Sequence, residues 1–120
     1  MSITIGTDII KISRMEQFIQ RNQLQGRQMI LAPNESGGSN MKSMAGKFAA
    51  KEALLKALGI GFSRGISRLT EIEVVKDSAG KPSVITYGLV NDIVNQKNIK
   101  NIEVSISHDS DYAIAFVVCQ

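Results

Sequence analysis

The chain has 120 residues, of which 43% are hydrophobic and 21% are charged. This length allows one hydrophobic core but not two ordinary domains, so we expect residues 1–120 to form a single domain. No apolar run approaches the roughly 20 residues that a membrane helix needs, and the N-terminus lacks the basic and apolar blocks of a secretory signal. We therefore expect a cytoplasmic protein with no membrane partner.

The chain is basic, with a formal net charge of +3 at pH 7 and a pI near 9.2. This charge favours acidic partners: nucleic acid, phosphorylated small molecules or an acidic protein. The single cysteine, Cys119, excludes an internal disulfide, and one Cys with one His cannot build the usual four-ligand zinc site. Any metal is therefore expected to be a hard ion on oxygen ligands, with Mg²⁺ as the first candidate.

The N-terminal segment predicts a short strand. Ile3 and Ile5 alternate with polar residues, which is typical of a half-buried strand. Gly6 would let another backbone or a ligand come close. Asp8 continues the polar face of this strand and lies where the strand is expected to end. An Asp at such a position is commonly a turn-forming residue without a functional role.

A helix is predicted from Arg14 to about Gln25, because Ser13 to Glu16 form a capping box. One face of this helix is basic at both ends and apolar in the middle, and it carries Arg14, Phe18 and Arg21. Such a face is commonly a solvated surface with one stray aromatic. The functional alternative is a surface that docks an acidic amphipathic helix.

Residues 31–43 are rich in Pro, Gly, Ser and Asn and predict a loop. The strongest helix prediction follows in residues 47–61 and ends near Leu58, where Gly59 can adopt a left-handed backbone. Glu52 falls on the predicted apolar face, where a carboxylate is costly without a cation. Lys56 lies one turn further on, so Glu52 and Lys56 form either an ordinary helical ion pair or a metal ligand beside an anion-binding lysine.

The C-terminal half predicts two hairpins and a helix. The predicted strands are Glu71 to Lys76, Ser83 to Tyr87, residues 102–106 and Tyr112 to Val118, with a helix from Leu89 to about Lys97. Arg64 and Arg68 lie among glycines and suit phosphate contacts, although this signal is weak. His108 opens the last hairpin tip, where a lone His is usually solvated. The order of elements predicts an α+β fold with a small antiparallel sheet packed against helices.

Three segments taken together resemble the holo-acyl-carrier-protein synthases, the small bacterial type of 4′-phosphopantetheinyl transferase. They are IGTDIIKISRM, AGKFAAKEALLKALGIG and VSISHDSDYAIAFVV, and the loop Gly80-Lys81-Pro82 also matches the family. Lys47 stands where the family usually has Arg, and residues 31–43 are richer in Gly and Ser than in the family. The resemblance implies the fold of that family.

The resemblance also implies a reaction, in which the phosphopantetheine group of coenzyme A passes to a serine of an apo carrier protein and adenosine 3′,5′-bisphosphate is released. Asp8 and Glu52 match the family's Mg²⁺ ligands, with water and the pyrophosphate completing the shell. Lys56 matches a lysine that contacts the pyrophosphate. Catalytic roles thus fall on Asp8, Glu52 and Lys56. Lys51 is expected to attract anions, and the general base is either Glu35 or a metal-bound water.

The resemblance implies coenzyme A contacts at Lys56, Gly80, Lys81, Pro82, Ser107 and His108. The composition of the Gly-rich segment adds Arg64. We expect Arg14, Phe18 and Arg21 to contact an acidic acyl carrier protein. Arg14 matches the family motif, and helical spacing adds the other two. The family is typically a homotrimer with coenzyme A between protomers. Two alternatives are a basic RNA- or nucleotide-binding module using Arg64 and Arg68, and a scaffold in which Glu52 and Lys56 form a salt bridge; few aromatic residues argue against nucleic acid.

Overall fold

The computed structural model describes residues 2–35, 40–60 and 68–120. The strands in these residues are β1 (Thr4–Lys11), β2 (Ile72–Lys76), β3 (Pro82–Thr86), β4 (Ile102–His108) and β5 (Tyr112–Cys119). The helices are α1 (Ile12–Ile30), α2 (Met41–Ala57) and α3 (Gly88–Gln96), and short 3₁₀ turns cover Pro33–Glu35 and Leu69–Glu71. None of these described helices is both long and apolar enough to cross a membrane.

Two antiparallel sheets organise the strands. The larger sheet has the order β1-β5-β4, and the smaller sheet is the β2-β3 hairpin. In the larger sheet Asp8 of β1 lies opposite Ala115 of β5, and Ile106 of β4 lies opposite the same residue. The predicted α+β class is confirmed, and so are the two hairpins, the helix after β3 and the helix that ends near Leu58.

Helix α2 packs across the inner face of the larger sheet and forms the centre of the core. Its alanines are fully or almost fully buried because small side chains let the helix approach the strands closely. At Gly6 a Cβ atom would lie 1.9 Å from the backbone oxygen of Ala53. Only glycine fits there, which confirms the prediction that another backbone approaches Gly6.

Two predictions for β1 are wrong. Ile3 and Ile5 are 62% and 61% exposed, whereas Gly6 is buried. Alternation identifies two faces of a strand but does not say which face the core covers. The strand also continues past Asp8 to Lys11, so Asp8 is a mid-strand residue rather than the turn residue at its end.

The predicted start of α1 is also wrong. The helix begins at Ile12 with Lys11 as N-cap and no side-chain cap, so the capping box does not form. The Ile12 N–H instead donates to the Asp111 carbonyl oxygen at 2.8 Å. Gln23 has a non-helical backbone, with φ of 51°, and a second helical segment then runs on to Ile30, past the predicted end.

The loop predicted for residues 31–43 is only partly a loop. Residues 33–35 form a 3₁₀ turn, and α2 already begins at Met41. The side chain of Asn40 accepts a hydrogen bond from the Ser43 N–H at 2.8 Å, so Asn40 is the N-cap. Residues 36–39 lie outside the described residues.

Candidate active site

Two acidic side chains meet where β1 crosses α2. Gly6 packs against Ala53, so Asp8 and Glu52 lie near each other across this contact. Glu52 is only 3% exposed, as its place on the apolar face predicts. Burial, followed by the negative charge of Asp8, raises the pKa of Glu52 to about 7. Burial also raises the pKa of Asp8, although Lys56 acts in the opposite direction.

Lys56 is the cation of this site. Its Nζ donates to the Thr7 carbonyl oxygen at 2.9 Å and to Asp8 Oδ1 at 3.2 Å. The helical spacing suggested a salt bridge between Lys56 and Glu52. In the structure Lys56 instead pairs with Asp8. The Lys56 side chain is about half exposed, so its remaining N–H groups can reach an anion in solution.

The donor set of this site fits a hard divalent cation such as Mg²⁺. Two carboxylates meet in a partly desolvated place where one of them resists ionisation, and a divalent ion would offset this repulsion. Within the described residues no third Asp, Glu, His or Cys joins them as a potential ligand. Asp8 and Glu52 could thus hold an ion whose other positions stay open to water and substrate oxygens.

An apolar groove of about 470 Å³ leads to Asp8. Arg14 and Phe18 line this groove, together with Met15, Phe48 and Leu69. Two of the three residues predicted for carrier docking therefore lie in the same groove as Asp8. Arg21 is exposed further along α1 and does not line this groove.

Ser107 and His108 end β4, and they face opposite sides of the sheet because side chains alternate along a strand. His108 Nε2 lies 3.0 Å from the Lys42 carbonyl oxygen of α2. Because a carbonyl oxygen can only accept, Nε2 carries the proton. Gly46 leaves room for the ring, since a Cβ there would lie 2.8 Å from Nε2. Sequence reasoning missed this role of Gly46, for which a glycine inside a helix was the signal.

His108 and the carboxylate pair both lie along α2. Gly46 precedes Glu52 by six residues, which is roughly 9 Å of helix at 1.5 Å per residue. Around the helix axis the two positions lie about 120° apart, at 100° per residue.

The remaining predicted cofactor contacts lie elsewhere. Gly80 and Lys81 end the turn between β2 and β3, and Pro82 is the first residue of β3. Lys81 Nζ lies 3.6 Å from Glu103 Oε1 of β4. Glu103 lies opposite Val118, three residues along β5 from the partner of Asp8. The structure therefore does not bring this loop to the carboxylates within one chain. Arg64 lies outside the described residues, and Arg68 donates to Glu71 at 2.9 Å.

The expectation for Lys51 is wrong, and the structure argues against Glu35 as one of the two candidates for the general base. Both side chains are buried and form an ion pair with each other. Glu35 also accepts from the N–H groups of Ala32 and Val74, so its oxygens are not available as a general base. Lys51 cannot attract an anion from solution because it is fully buried. A lysine within an alanine-rich helix was the signal for a buried pair, but its partner lies 16 residues away in sequence.

Comparison with known proteins identifies the class of this fold and site. A family model described as the 4′-phosphopantetheinyl transferase superfamily matches residues 4–117. The chain therefore belongs to the 4′-phosphopantetheinyl transferase superfamily.

Curated relatives narrow this class to one kind of enzyme. A holo-[acyl-carrier-protein] synthase of Halorhodospira halophila is 40% identical over 95% of this chain and 94% of its own length. The synthase of Alkaliphilus metalliredigens is 43% identical over 92% of this chain and 93% of its own length. The prediction of an enzyme of the holo-[acyl-carrier-protein] synthase type is confirmed, against the two non-catalytic alternatives.

Solved structures of such synthases share the fold. The crystal structure from Neisseria meningitidis has a TM-score of 0.87 and 30% identity, and covers 98% of this chain and 97% of its own. The Helicobacter pylori synthase in complex with coenzyme A has a TM-score of 0.84 and 33% identity, with coverages of 97% and 99%. At these identities the likeness extends to sequence as well as to fold.

Proposed function

We propose that this enzyme transfers 4′-phosphopantetheine from coenzyme A to a serine hydroxyl of an apo acyl carrier protein in a Mg²⁺-dependent reaction. The observation that carries the proposal is the pair of carboxylates, Asp8 and Glu52, beside the half-exposed Lys56. This arrangement suits a diphosphate ester with a divalent cation, since a cation and a lysine together balance the charge of the carboxylates and the phosphates. The Helicobacter pylori relative, which was crystallised with coenzyme A, supports this choice of substrate.

The reaction forms one bond to phosphorus and breaks another. The serine oxygen bonds to the phosphorus that carries the pantetheine, and the bond from this phosphorus to the departing adenosine 3′,5′-bisphosphate breaks. The proton of the serine hydroxyl goes to water, because Glu35 is occupied within the core. A bound divalent cation would supply positive charge to the diphosphate. Lys56 contributes a further positive charge next to Asp8, where the negative charge of the leaving phosphate grows.

The groove beside Asp8 is the proposed approach for the carrier protein. Arg14 stands at its rim and Phe18 in its apolar wall, so an acidic helix can pair with the arginine and bury apolar side chains. Arg21 extends the positive charge along α1. Ser107, His108 and the loop Gly80-Lys81-Pro82 remain proposed contacts of coenzyme A. We propose a cytoplasmic location because a single cysteine suits a reducing compartment.

One assay tests the proposed reaction directly. The purified chain is incubated with coenzyme A, Mg²⁺ and an apo acyl carrier protein, and the carrier is analysed by mass spectrometry. We expect a phosphopantetheine adduct on one serine that forms with Mg²⁺ and not with excess EDTA. No adduct with Mg²⁺ would contradict the proposal, and an adduct of equal yield in EDTA would contradict the metal dependence.

We propose further that the enzyme is a homotrimer joined through the outer face of the larger sheet. This outer face carries apolar side chains that the single chain leaves exposed: Ile5, Ile9, Ile114 and Phe116. They are neighbours across the β1–β5 pair, so they form one continuous patch, and patches of this kind mark interaction surfaces. Ser107 lies on the same face, opposite Ile114. Coenzyme A bound between protomers would therefore meet Ser107 at the edge of the patch.

Replacing Phe116 with aspartate is expected to dissociate the oligomer. A charge at the centre of the patch would have to be desolvated on association, which is strongly unfavourable. Sedimentation equilibrium should give about three times the 13.1 kDa chain mass for the wild type and a single chain mass for the variant. Leu24→Asp is the matched control, because Leu24 is exposed on α1 away from the sheet and its replacement should leave the mass unchanged. A monomeric wild type, or a trimeric Phe116→Asp variant, would contradict the proposal.

A further inference from the structure

Helix α2 has buried residues on all sides, so its rotation about its own axis is not set by one apolar face. Its buried residues point in every direction around the axis, including Met44, Ala49, Ala53, Leu54 and Leu55. A helix with one apolar stripe is oriented by that stripe, whereas a helix that is apolar all round has no such preference. The many alanines give α2 a smooth surface against the sheet. The distribution of apolar residues around α2 therefore does not by itself specify the rotation of the helix.

Lys56 and the Lys42 carbonyl oxygen tie α2 to β1 and His108 at exposed contacts. A further directional interaction, which is buried, also fixes this rotation. Lys51 is 0% exposed, and its Nζ donates to Glu35 and, at 2.6 Å, to the Ile30 carbonyl oxygen. The Ile30 carbonyl belongs to the end of α1, where a cation is favourable. Glu35 is itself held by the N–H groups of Ala32 at 2.8 Å and Val74 at 2.7 Å. Lys51 is thus tied to two acceptors that belong to other elements of the fold.

Lys51 and Glu52 are consecutive, so their side chains leave the helix about 100° apart, as one residue in a 3.6-residue turn requires. When Lys51 points at Glu35 and Ile30, Glu52 is directed towards β1 and Asp8. A rotation of α2 that moved Glu52 away from Asp8 would also pull Lys51 from both acceptors. Such a rotation would leave a buried charge without a partner, which is strongly unfavourable.

We propose that Glu35 and Lys51 are a positioning pair that sets the rotation of α2 and thereby holds the Glu52 carboxylate against Asp8. The best attested role of buried polar pairs is to specify register, and that is the role assigned here. The proposal rests on the proposed function only in treating Asp8 and Glu52 as ligands of a divalent cation. Glu35 and Lys51 would act through Glu52, since both side chains are buried and paired with each other.

The test compares cation binding with stability in Lys51→Met, Glu35→Gln and the double variant. Binding of Mn²⁺, as a spectroscopic substitute for Mg²⁺, is measured by electron paramagnetic resonance in the presence of coenzyme A. Thermal stability and the Mg²⁺ dependence of transfer are measured in parallel. We expect the Mn²⁺ dissociation constant and the half-saturating Mg²⁺ concentration to rise by about tenfold or more, as for residues that orient metal ligands. The turnover rate at saturating Mg²⁺ should change much less.

Glu73→Gln is the matched control. Glu73 is also a buried carboxylate near Lys51, but its side chain accepts from the Tyr87 hydroxyl at 2.6 Å and not from Lys51. This variant should change the melting temperature and leave Mn²⁺ binding unchanged. A purely structural role for Glu35 and Lys51 predicts the same pattern for their variants, so a wild-type Mn²⁺ constant in a folded Lys51→Met variant would overturn the proposal.

The other possible results of this experiment also support or overturn the proposal. If Lys51→Met does not fold because Glu35 is left unpaired, the double variant carries the test, since it has no buried charge at this place. A double variant that did not fold would show that the pair is needed for folding itself, and positioning would be rejected. Absence of Mn²⁺ binding in the wild type would instead contradict the proposed function.

Discussion

Replacing Glu52 with glutamine is expected to abolish phosphopantetheine transfer and, at the same time, to stabilise the metal-free protein at pH 8. Transfer should fall at least about a hundredfold, which corresponds to about 2.7 kcal/mol in activation free energy. The physical reason is that an amide keeps the shape of the side chain but removes the charge that holds a cation. Stability should rise because the same charge is unfavourable when no cation is bound.

The pH dependence of this stabilisation follows from the raised pKa of Glu52. Its ordinary value is 4.5, and in the folded protein burial and the charge of Asp8 raise the pKa to about 7. Between these values the folded state binds more protons than the unfolded state, so the free energy of unfolding falls as pH rises. The stability that the folded protein has with Glu52 protonated is intact below about pH 4.5 and is lost above about pH 7. The shift corresponds to about 3 kcal/mol as an upper value.

Denaturant unfolding in EDTA measures this effect. Glu52→Gln should have a higher free energy of unfolding than the wild type at pH 8, and the difference should shrink towards zero near pH 4.5. Glu16→Gln provides the control, because Glu16 is an exposed carboxylate on α1 and its replacement should give no such trend. Added Mg²⁺ with coenzyme A should stabilise the wild type and not the Glu52→Gln variant. A variant that is less stable than the wild type at pH 8 would refute the argument.

The order of elements in this protein could be predicted from local sequence. Gly59, with φ of 76°, follows the end of α2, and a turn of mostly polar residues at 77–81 separates β2 from β3. These signals are local, because backbone conformation and turn residues act over a few positions. The place of Glu52 could also be predicted, since helical spacing puts it among apolar residues.

Features that depend on distant partners could not be predicted in this way. The capping box at Ser13 failed because the Ile12 N–H finds an acceptor at Asp111, nearly the whole chain away. The interpretation of Lys51 failed for the same reason, since its partner Glu35 belongs to another element. Spacing alone also could not tell that Lys56 pairs with Asp8 across the contact between β1 and α2. The site residues themselves were predicted from the family resemblance. Physical argument predicted only their surroundings.

The outer face of the larger sheet illustrates a further limit. Ile3 and Ile5 were expected to form the apolar side of a half-buried strand, and apolar residues usually face the core of their own chain. In the structure the inner side holds Gly6 and Asp8 instead, and the isoleucines face outward. A sequence pattern counts apolar residues but does not say whether the same chain or a second copy covers them.

Replacing Gly6 with alanine is expected to damage the fold and the site together. The new Cβ would lie 1.9 Å from the Ala53 carbonyl oxygen and 2.9 Å from both the Ala53 carbonyl carbon and the Ala57 nitrogen. All three are backbone atoms that cannot rotate away, so β1 and α2 must separate. We expect a loss of about 3 kcal/mol or more in the free energy of unfolding, at or above the upper end for an overpacked core.

The same separation should weaken the site, because Asp8 follows Gly6 by two residues on the same face of β1. Any fraction of Gly6→Ala that remains folded should therefore bind Mn²⁺ more weakly than the wild type. Gly59→Ala separates this steric effect from the general effect of losing a glycine. Its Cβ would meet nothing within 4 Å, but its φ of 76° strains an alanine, so it should lose only about 1 kcal/mol. If Gly6→Ala were as stable as Gly59→Ala and bound Mn²⁺ like the wild type, β1 and α2 could not be in the close contact on which the carboxylate pair depends.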